Sequence, residues 1–299
     1  MANLKEMRLR IVSVRSTQQV TRAMKMVSAA KLRKAQDAII QIRPYESKLH
    51  DILVNLTDQI GTSDFENKYA AHSEINKILI VAITSNRGLC GGFNTNVVKK
   101  VEELVTTTYD YLYQKGAIDI LAIGKKGFDG LKAKNIQVTS SINHLYDNLN
   151  YITIEEIAKG LMDAFSKGEY DRIELVYNQF INAAVQKLVV EQYLPVEIRE
   201  NKPVVADTHR YFNNYIFEPD IVDIMETIIP KSLKIQFFKA ILDSVASEHG
   251  ARMTAMHKAT DNASELIQEM NLQYNKARQA NITGEILEIV SGANALQNS

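Results

Sequence analysis

Two stretches of this chain, one at each end, favour helix for longer than a globule is wide. No Gly or Pro precedes Pro44, and the opening residues are rich in Ala, Leu, Met, Lys, Arg and Gln, all good helix formers. They predict one helix over residues 1–43, a rod of about 60 Å at ~1.5 Å per residue. Beyond Pro230 there is no proline, and up to Gly284 only Gly250 interrupts a second such stretch. Pro219 and Pro230 bracket the entry to it, and its expected length exceeds ~80 Å. A compact chain of 299 residues would measure about 50 Å across. Both helices overrun that, so they must pack along a lateral seam, against each other or against another protein.

Spacing agrees with a seam. Leu4, Met7, Ile11 and Val14 step by three and four residues, as do Ala263, Leu266, Met270, Tyr274 and Ala277, the signature of a narrow coiled-coil stripe. In the first helix the stripe passes through Gln18 and Thr21 and is expected to resume around Val20, Met24 and Val27, which implies a seam that drifts. Ala251, Ala255, Ala259 and Ala263 recur every fourth residue and allow close approach of a neighbouring backbone.

Charge is polarised although its total balances. Residues 1–36 hold nine Lys/Arg and one acid, a net +8, against −8 for the remainder. A basic helix of this kind serves as a solvated face or meets nucleic acid, an anionic membrane surface or an acidic protein.

The middle has another texture. A buried strand at 78–84 leads into a glycine-containing loop (SNRGLCGGF, 85–93) and a helix over 94–115. Strands at 118–123, 136–139, 172–178 and 185–194 follow, with a helix at 154–166 between the third and fourth. Alternating strands and helices predict a three-layer, Rossmann-like α/β domain with a mostly parallel sheet and an antiparallel edge available to the last two strands. The fold class is thus α/β, a domain at 74–210 inserted between a long N-terminal helix (1–60) and a long C-terminal one (211–299).

The residues predict no catalytic, cofactor or metal site. Gly88, Gly91 and Gly92 do not make G-x-G-x-x-G, and neither they nor Gly124-Lys125-Lys126-Gly127 match the phosphate-binding P-loop. Cys90 has no base near it in sequence, and six scattered histidines show no ligand spacing. The longest apolar run, six residues from Ile78 to Ile83, falls far short of the roughly 20 a bilayer span needs. The first ten residues lack the apolar core of a secretory signal. The single cysteine suits a reducing compartment.

The C-terminal end is more informative. Ile286, Leu287, Ile289, Val290 and Ala293 crowd a terminal helix that would fray in water unless received by another surface. Arg278, Gln279 and Thr283 precede them, spaced for directional hydrogen bonds to such a partner.

These residues resemble the gamma-subunit family of the F-type ATP synthases, the central stalk of the rotor. The resemblance rests on residues 11–35 (IVSVRSTQQVTRAMKMVSAAKLRKA), the loop SNRGLCGGFN, the turn Phe217-Glu218-Pro219-Asp220 and nearly all of 247–296, ending in ITGEILEIVSGANA. It implies that the N- and C-terminal helices form a long antiparallel coiled coil, in a non-catalytic rotary subunit that transmits torque between the c ring and the catalytic alpha/beta hexamer, coupling proton flow to ATP synthesis. It further implies partners, namely the alpha and beta subunits, the epsilon subunit and the c-subunit ring, with no nucleic acid and membrane contact only through those subunits. Met24, Arg252, Arg278, Gln279 and Thr283 correspond to contacts with the alpha/beta ring or the packed shaft beside them. Tyr215 and Glu218 fall where the foot meets the c ring. The absence of a transit peptide points to the cytoplasmic face of a bacterial inner membrane, held peripherally. Two rival readings stand beside this one. A nucleotide enzyme, suggested by the glycine loop, predicts nucleotide binding by the purified chain. A nucleic-acid scaffold, suggested by the basic helix, predicts binding that weakens steeply with salt and leaves the apolar tip unexplained.

Overall fold

Sheet and helices are visible in the burial of single residues. In a computed structural model that describes residues 4–60, 68–69, 75–146, 149–196, 218 and 220–297, all six residues of β1 (Ile78–Ile83) are buried. A strand covered on both faces reads as a continuous apolar run, and β1 is the centre of the sheet. The strand order is β3-β2-β1-β4-β5, with β2 Ile118–Ile123, β3 Ser140–Ile142, β4 Arg172–Phe180 and β5 Gln186–Leu194. The first three pairings are parallel; β4 and β5 are antiparallel. The mixed sheet expected from the sequence is therefore present, with its antiparallel edge at the last two strands.

Period-two alternation divides the core. Ile78, Ile80 and Ala82 face α2 (Phe93–Glu103) and α4 (Lys125–Ala133), packing with Val97, Val101 and Leu131. Leu79, Val81 and Ile83 face α5 (Tyr151–Ser166) and α6 (Ile221–Gln297), packing with Ile154, Phe165, Leu233 and Phe237. The result is three layers. Asn150 caps α5 by accepting from the Thr153 amide, the usual service of an Asn at that position.

The structure differs from the local sequence reading in three places. The helix expected over 94–115 is interrupted: α2 gives way to a π turn at Leu104–Thr108 before a short α3 (Asp110–Gln114). There the Tyr109 amide donates to Leu104 O, and the Tyr109 hydroxyl reaches the buried Glu174 at 2.6 Å. The widened turn swings Tyr109 onto a carboxylate that would otherwise lack it. The third strand lies at Ser140–Ile142 rather than 136–139. Ile136 is buried against α2 and α4 without joining the ladder. Helix α4 was not expected at all, because its glycines look like breakers.

The terminal helices are longer than their prolines suggest. Helix α1 spans Leu4–Ile60 through Pro44, and α6 spans 77 residues through Pro230, about 115 Å at the standard rise. A proline inside a helix forfeits one hydrogen bond and crowds the preceding turn. Pro44 faces solvent, while Ile39, Leu49 and Leu53 on the opposite side are buried. At the start of α6, Met225 and Ile229 are each 2% exposed and hold the turn before Pro230.

The chain divides into two compact units, residues 1–29 with 252–299 and residues 30–251. In the first, α1 and α6 run antiparallel, with Gln18 bonded to Ser264 and Thr21 to Thr260. Sheltered positions in this part of α1 include an alternation of three and four, Leu4, Met7, Ile11, Val14, Gln18, Thr21, Lys25 and Ser28, with Met24, one of the residues expected to rejoin the stripe, and Ala29 half-buried beside it. The seam does not drift. Val20 and Val27, expected to rejoin it, are 56% and 58% exposed, and Leu266 yields its place to Ile267. Polar residues hold the register because their hydrogen bonds are satisfied within the pair.

Candidate partner interface

The register of the helix pair determines what is left uncovered. With Thr21 opposite Thr260 and Gln18 opposite Ser264, Leu4 comes level with about Arg278. Beyond this point α6 continues to Gln297, so its last turns have no α1 residue of the described chain beside them. Ile282, Ile286, Leu287, Ile289 and Val290 are all exposed, Ile289 to 71%. A cluster of this size on one terminal helix is costly in water and marks a surface that another body covers.

The polar residues at its base are equally open. Arg278, Gln279 and Thr283 are exposed, and the Thr283 hydroxyl is turned back onto Gln279 O at 2.9 Å. The guanidinium of Arg278 and the amide of Gln279 therefore project from the helix with donors to spare. Arg252 differs: it is 7% exposed. Met24 is half-buried beside the seam, between Thr21 and Ser28. Glu218 is exposed, and Tyr215 lies outside the described residues.

One flank of α1 is cationic. Arg8, Arg15 and Arg22 each follow a seam position by one residue and are exposed, so they recur every seventh residue along a single side. Arg10 is paired with Glu6 at 2.7 Å. Sequence reasoning found the charge; which cations share one side appears only once the seam is fixed.

The glycine loop is built as a structural turn. Leu89 and Gly91 take positive φ, Ser85 N and Oγ both donate to Asn94 Oδ1, Ser85 Oγ lies 2.7 Å from Arg87 O, and buried Cys90 receives the Asn94 amide. In a doubly wound sheet a ligand lies outside the carboxyl ends of the strands where the order reverses, here between β1 and β4. Helix α6 crosses that place. Gly250 passes so near the β4–β5 loop that a Cβ would lie 3.2 Å from Ala183 O. Tyr146, whose hydroxyl donates to Thr84 O at 2.6 Å, is held above its ordinary pKa by burial and by nearby Glu248 of α6. Among the described residues no group of three His, Cys, Asp or Glu is placed to hold a metal, and no helix is long and apolar enough to cross a membrane.

A five-stranded α/β sheet inserted in the chain between two long terminal helices defines a class of helix-pair protein with an inserted sheet domain. Solved structures share this fold. A chain of the Euglena gracilis mitochondrial ATP synthase (OSCP/F1/c-ring, rotational state 3) aligns with a TM-score of 0.67 at 22% identity, over 98% of this chain and 94% of that one. A chain of the Tetrahymena thermophila central stalk and c ring aligns at 0.58 and 24%, covering 80% and 99%. A family model described as ATP synthase matches residues 3–296. The ATP synthase gamma chain of Flavobacterium psychrophilum is 54% identical over 99% of this chain and all of that one, and that of Cytophaga hutchinsonii 47% over the full length of both. The chain belongs to the ATP synthase gamma-chain family.

Proposed function

We propose that this chain is the torque-bearing central stalk of an ATP synthase, a subunit without an active site of its own. The observation that carries the reading is the overhanging tip of α6, whose apolar residues need a sleeve and whose basal Arg278 and Gln279 need acceptors. In family terms the sleeve is the ring of alpha and beta subunits, and the sheet domain is the foot that meets the c ring and the epsilon subunit. Residues 1–60 and 211–299 then serve as coiled coil and 74–210 as foot, with Tyr215 and Glu218 on the c-ring side. Met24, Arg252, Arg278, Gln279 and Thr283 belong to the ring side. The burial of Arg252 leaves it little surface to share, so Arg278, Gln279 and Thr283 bear most of that contact.

Asymmetry supplies the mechanism. A shaft that touched every catalytic site alike would shift none of them, however tightly it bound. The arginine row on one flank of α1 faces a single direction, so turning the pair moves a positive stripe from one site to the next. Proton flow through the membrane ring turns the stalk for synthesis, and ATP hydrolysis turns it back. The crossing of α6 over the sheet's carboxyl edge supports a non-catalytic role. Within a bacterial cell this places the chain at the cytoplasmic face of the inner membrane, bound through its partners.

The test combines composition and turnover. Intact-complex mass spectrometry of gently solubilised membranes should find one copy of the tagged chain with a nucleotide-containing hexamer and a c ring. Arg278→Ala and Gln279→Ala should each reduce ATP hydrolysis by the assembled complex. Recovery as a free monomer, or unaltered turnover in both variants, would overturn the reading.

A further inference from the structure

Within the unit formed by residues 30–251, a half-open cavity of about 410 Å³ lies between α1, α5 and the start of α6. Its size falls in the range of small-molecule sites. Three aromatic rings line it: Tyr45 from α1, Tyr151 from α5 and Phe238 from α6. Tyr151 and Phe238 stand edge to face, with centroids 5.3 Å apart and planes at 81°. This leaves an L-shaped apolar corner into which a flat ring can slide against both.

The rim carries an unbalanced charge. Lys234 donates to Glu155 at 2.7 Å, so these two neutralise each other. Lys231, exposed at the same rim, has no partner among the described residues. The cavity is therefore apolar within and positive by one charge at its mouth. The Tyr151 hydroxyl stays protonated, its pKa raised by burial first and then by Glu155 and the neighbouring Tyr45, with Lys234 acting the other way, so it offers a donor in the same lining.

We propose that this cavity binds a flat aromatic anion, its rings in the corner of Tyr151 and Phe238 and its carboxylate or sulfonate on Lys231. Because its walls come from α1, α5 and α6, an occupant ties the three helices together. The inference does not depend on the rotary reading, since it uses only the cavity and its rim.

A photoreactive naphthalene carboxylate applied to the assembled complex tests it, because peptide mapping reports the labelled site whatever else the probe meets. Labelling should fall on the peptides that carry Tyr45, Tyr151 or Phe238 and should be competed by 2-naphthoate. Neutral 2-naphthamide should compete about tenfold more weakly, as expected for one lost charge-assisted contact. Decanoate, which carries the charge without the rings, should also compete poorly. Lys231→Glu should lower labelling by a similar factor while Lys231→Arg keeps it, and Tyr151→Phe, which leaves the ring in place, should weaken it less. No labelling at these peptides, equal competition by the amide or by decanoate, or indifference to Lys231→Glu would each overturn the proposal.

Discussion

Gln18 and Ser264 meet across the antiparallel helix pair with Nε2 and Oγ 2.6 Å apart, one turn from the 2.9 Å contact between the hydroxyls of Thr21 and Thr260. Each hydroxyl also donates to its own helix or is placed to do so: Thr21 onto Gln18 O, Thr260 onto Met256 O and Ser264 onto Thr260 O. Such a layer contributes little to strength, since apolar replacements of the same shape are neutral or stabilising. It specifies register, as single polar layers do in coiled coils. Thr21→Val with Thr260→Val should raise the melting temperature slightly, by about 0.5–1 kcal/mol of stability, and loosen the alignment. Cysteines at 14 and 267 report this: the parent chain should cross-link only in register, whereas the double valine variant with cysteines at 14 and 274 should also cross-link. Equal specificity in both backgrounds would remove the register role.

Gly124 and Thr84 show a second dependence. Gly124 has φ +102, and a Cβ there would sit 2.3 Å from Thr84 O; at Gly127 it would sit 2.5 Å from Thr84 Oγ1. The Thr84 hydroxyl accepts from the Gly127 amide at 2.8 Å and lies within 3.2 Å of Ile123 O and Gly124 O. Gly124→Ala meets both a disfavoured backbone and a carbonyl that cannot retreat. It should cost roughly 2–4 kcal/mol, measurable as a shift in the urea midpoint of the full chain. Gly160→Ala on α5, where nothing lies within 4 Å of the added carbon, should change little. A shift at Gly124 no larger than at Gly160 would refute the account.

These two regions also mark what sequence reading reaches. The heptad of α1 was legible from Leu4 to Val14 because apolar residues occupy it. It was followed through Gln18 and Thr21 and lost beyond them, because Val20, Met24 and Val27 look like better core than Lys25 and Ser28. Strand β1 was plain from an unbroken apolar run. Helix α4 was hidden because Gly124, Gly127 and Gly130 signal a loop, whereas the helix needs two of them bare where it passes Thr84 and Val98. The apolar tip was legible as a helix needing cover. The arginine row was not, since its single direction depends on the seam.

Asp243 supplies a pH-dependent prediction. It is 1% exposed on α6, and its Oδ1 has no hydrogen-bond partner among the described residues. Burial pushes its pKa up to about 6; Lys239 and Arg43 pull it down, while Glu46 and Glu191 add to the rise. A raised carboxyl favours the protonated folded state, so its contribution is fully present below the unfolded value near ~3.9 and is lost as pH rises through about 6. At pH 7.5 the ionised group costs on the order of 2–3 kcal/mol. Asp243→Asn, which mimics the protonated form, should stabilise the chain at pH 7.5 and have little effect at pH 4. Calorimetry at the two pH values decides it, and a gain independent of pH would show that ionisation is not the cause.

Met24 tests the coupling itself. The residue is half-buried beside the seam, so a lysine there can lay its stem along the helix pair and carry its ammonium outward, leaving the pair folded. The new charge stands on the other side of the seam from Arg8, Arg15 and Arg22, and it adds attraction for acidic loops of a surrounding ring. An extra contact made in only some rotor positions slows departure from those positions, since it shifts populations by its differential affinity alone. Met24→Lys should therefore leave assembly intact and weaken ATP-driven proton pumping in membrane vesicles more than it weakens hydrolysis. Pumping unchanged relative to hydrolysis would show that the shaft turns past the ring without engaging this flank.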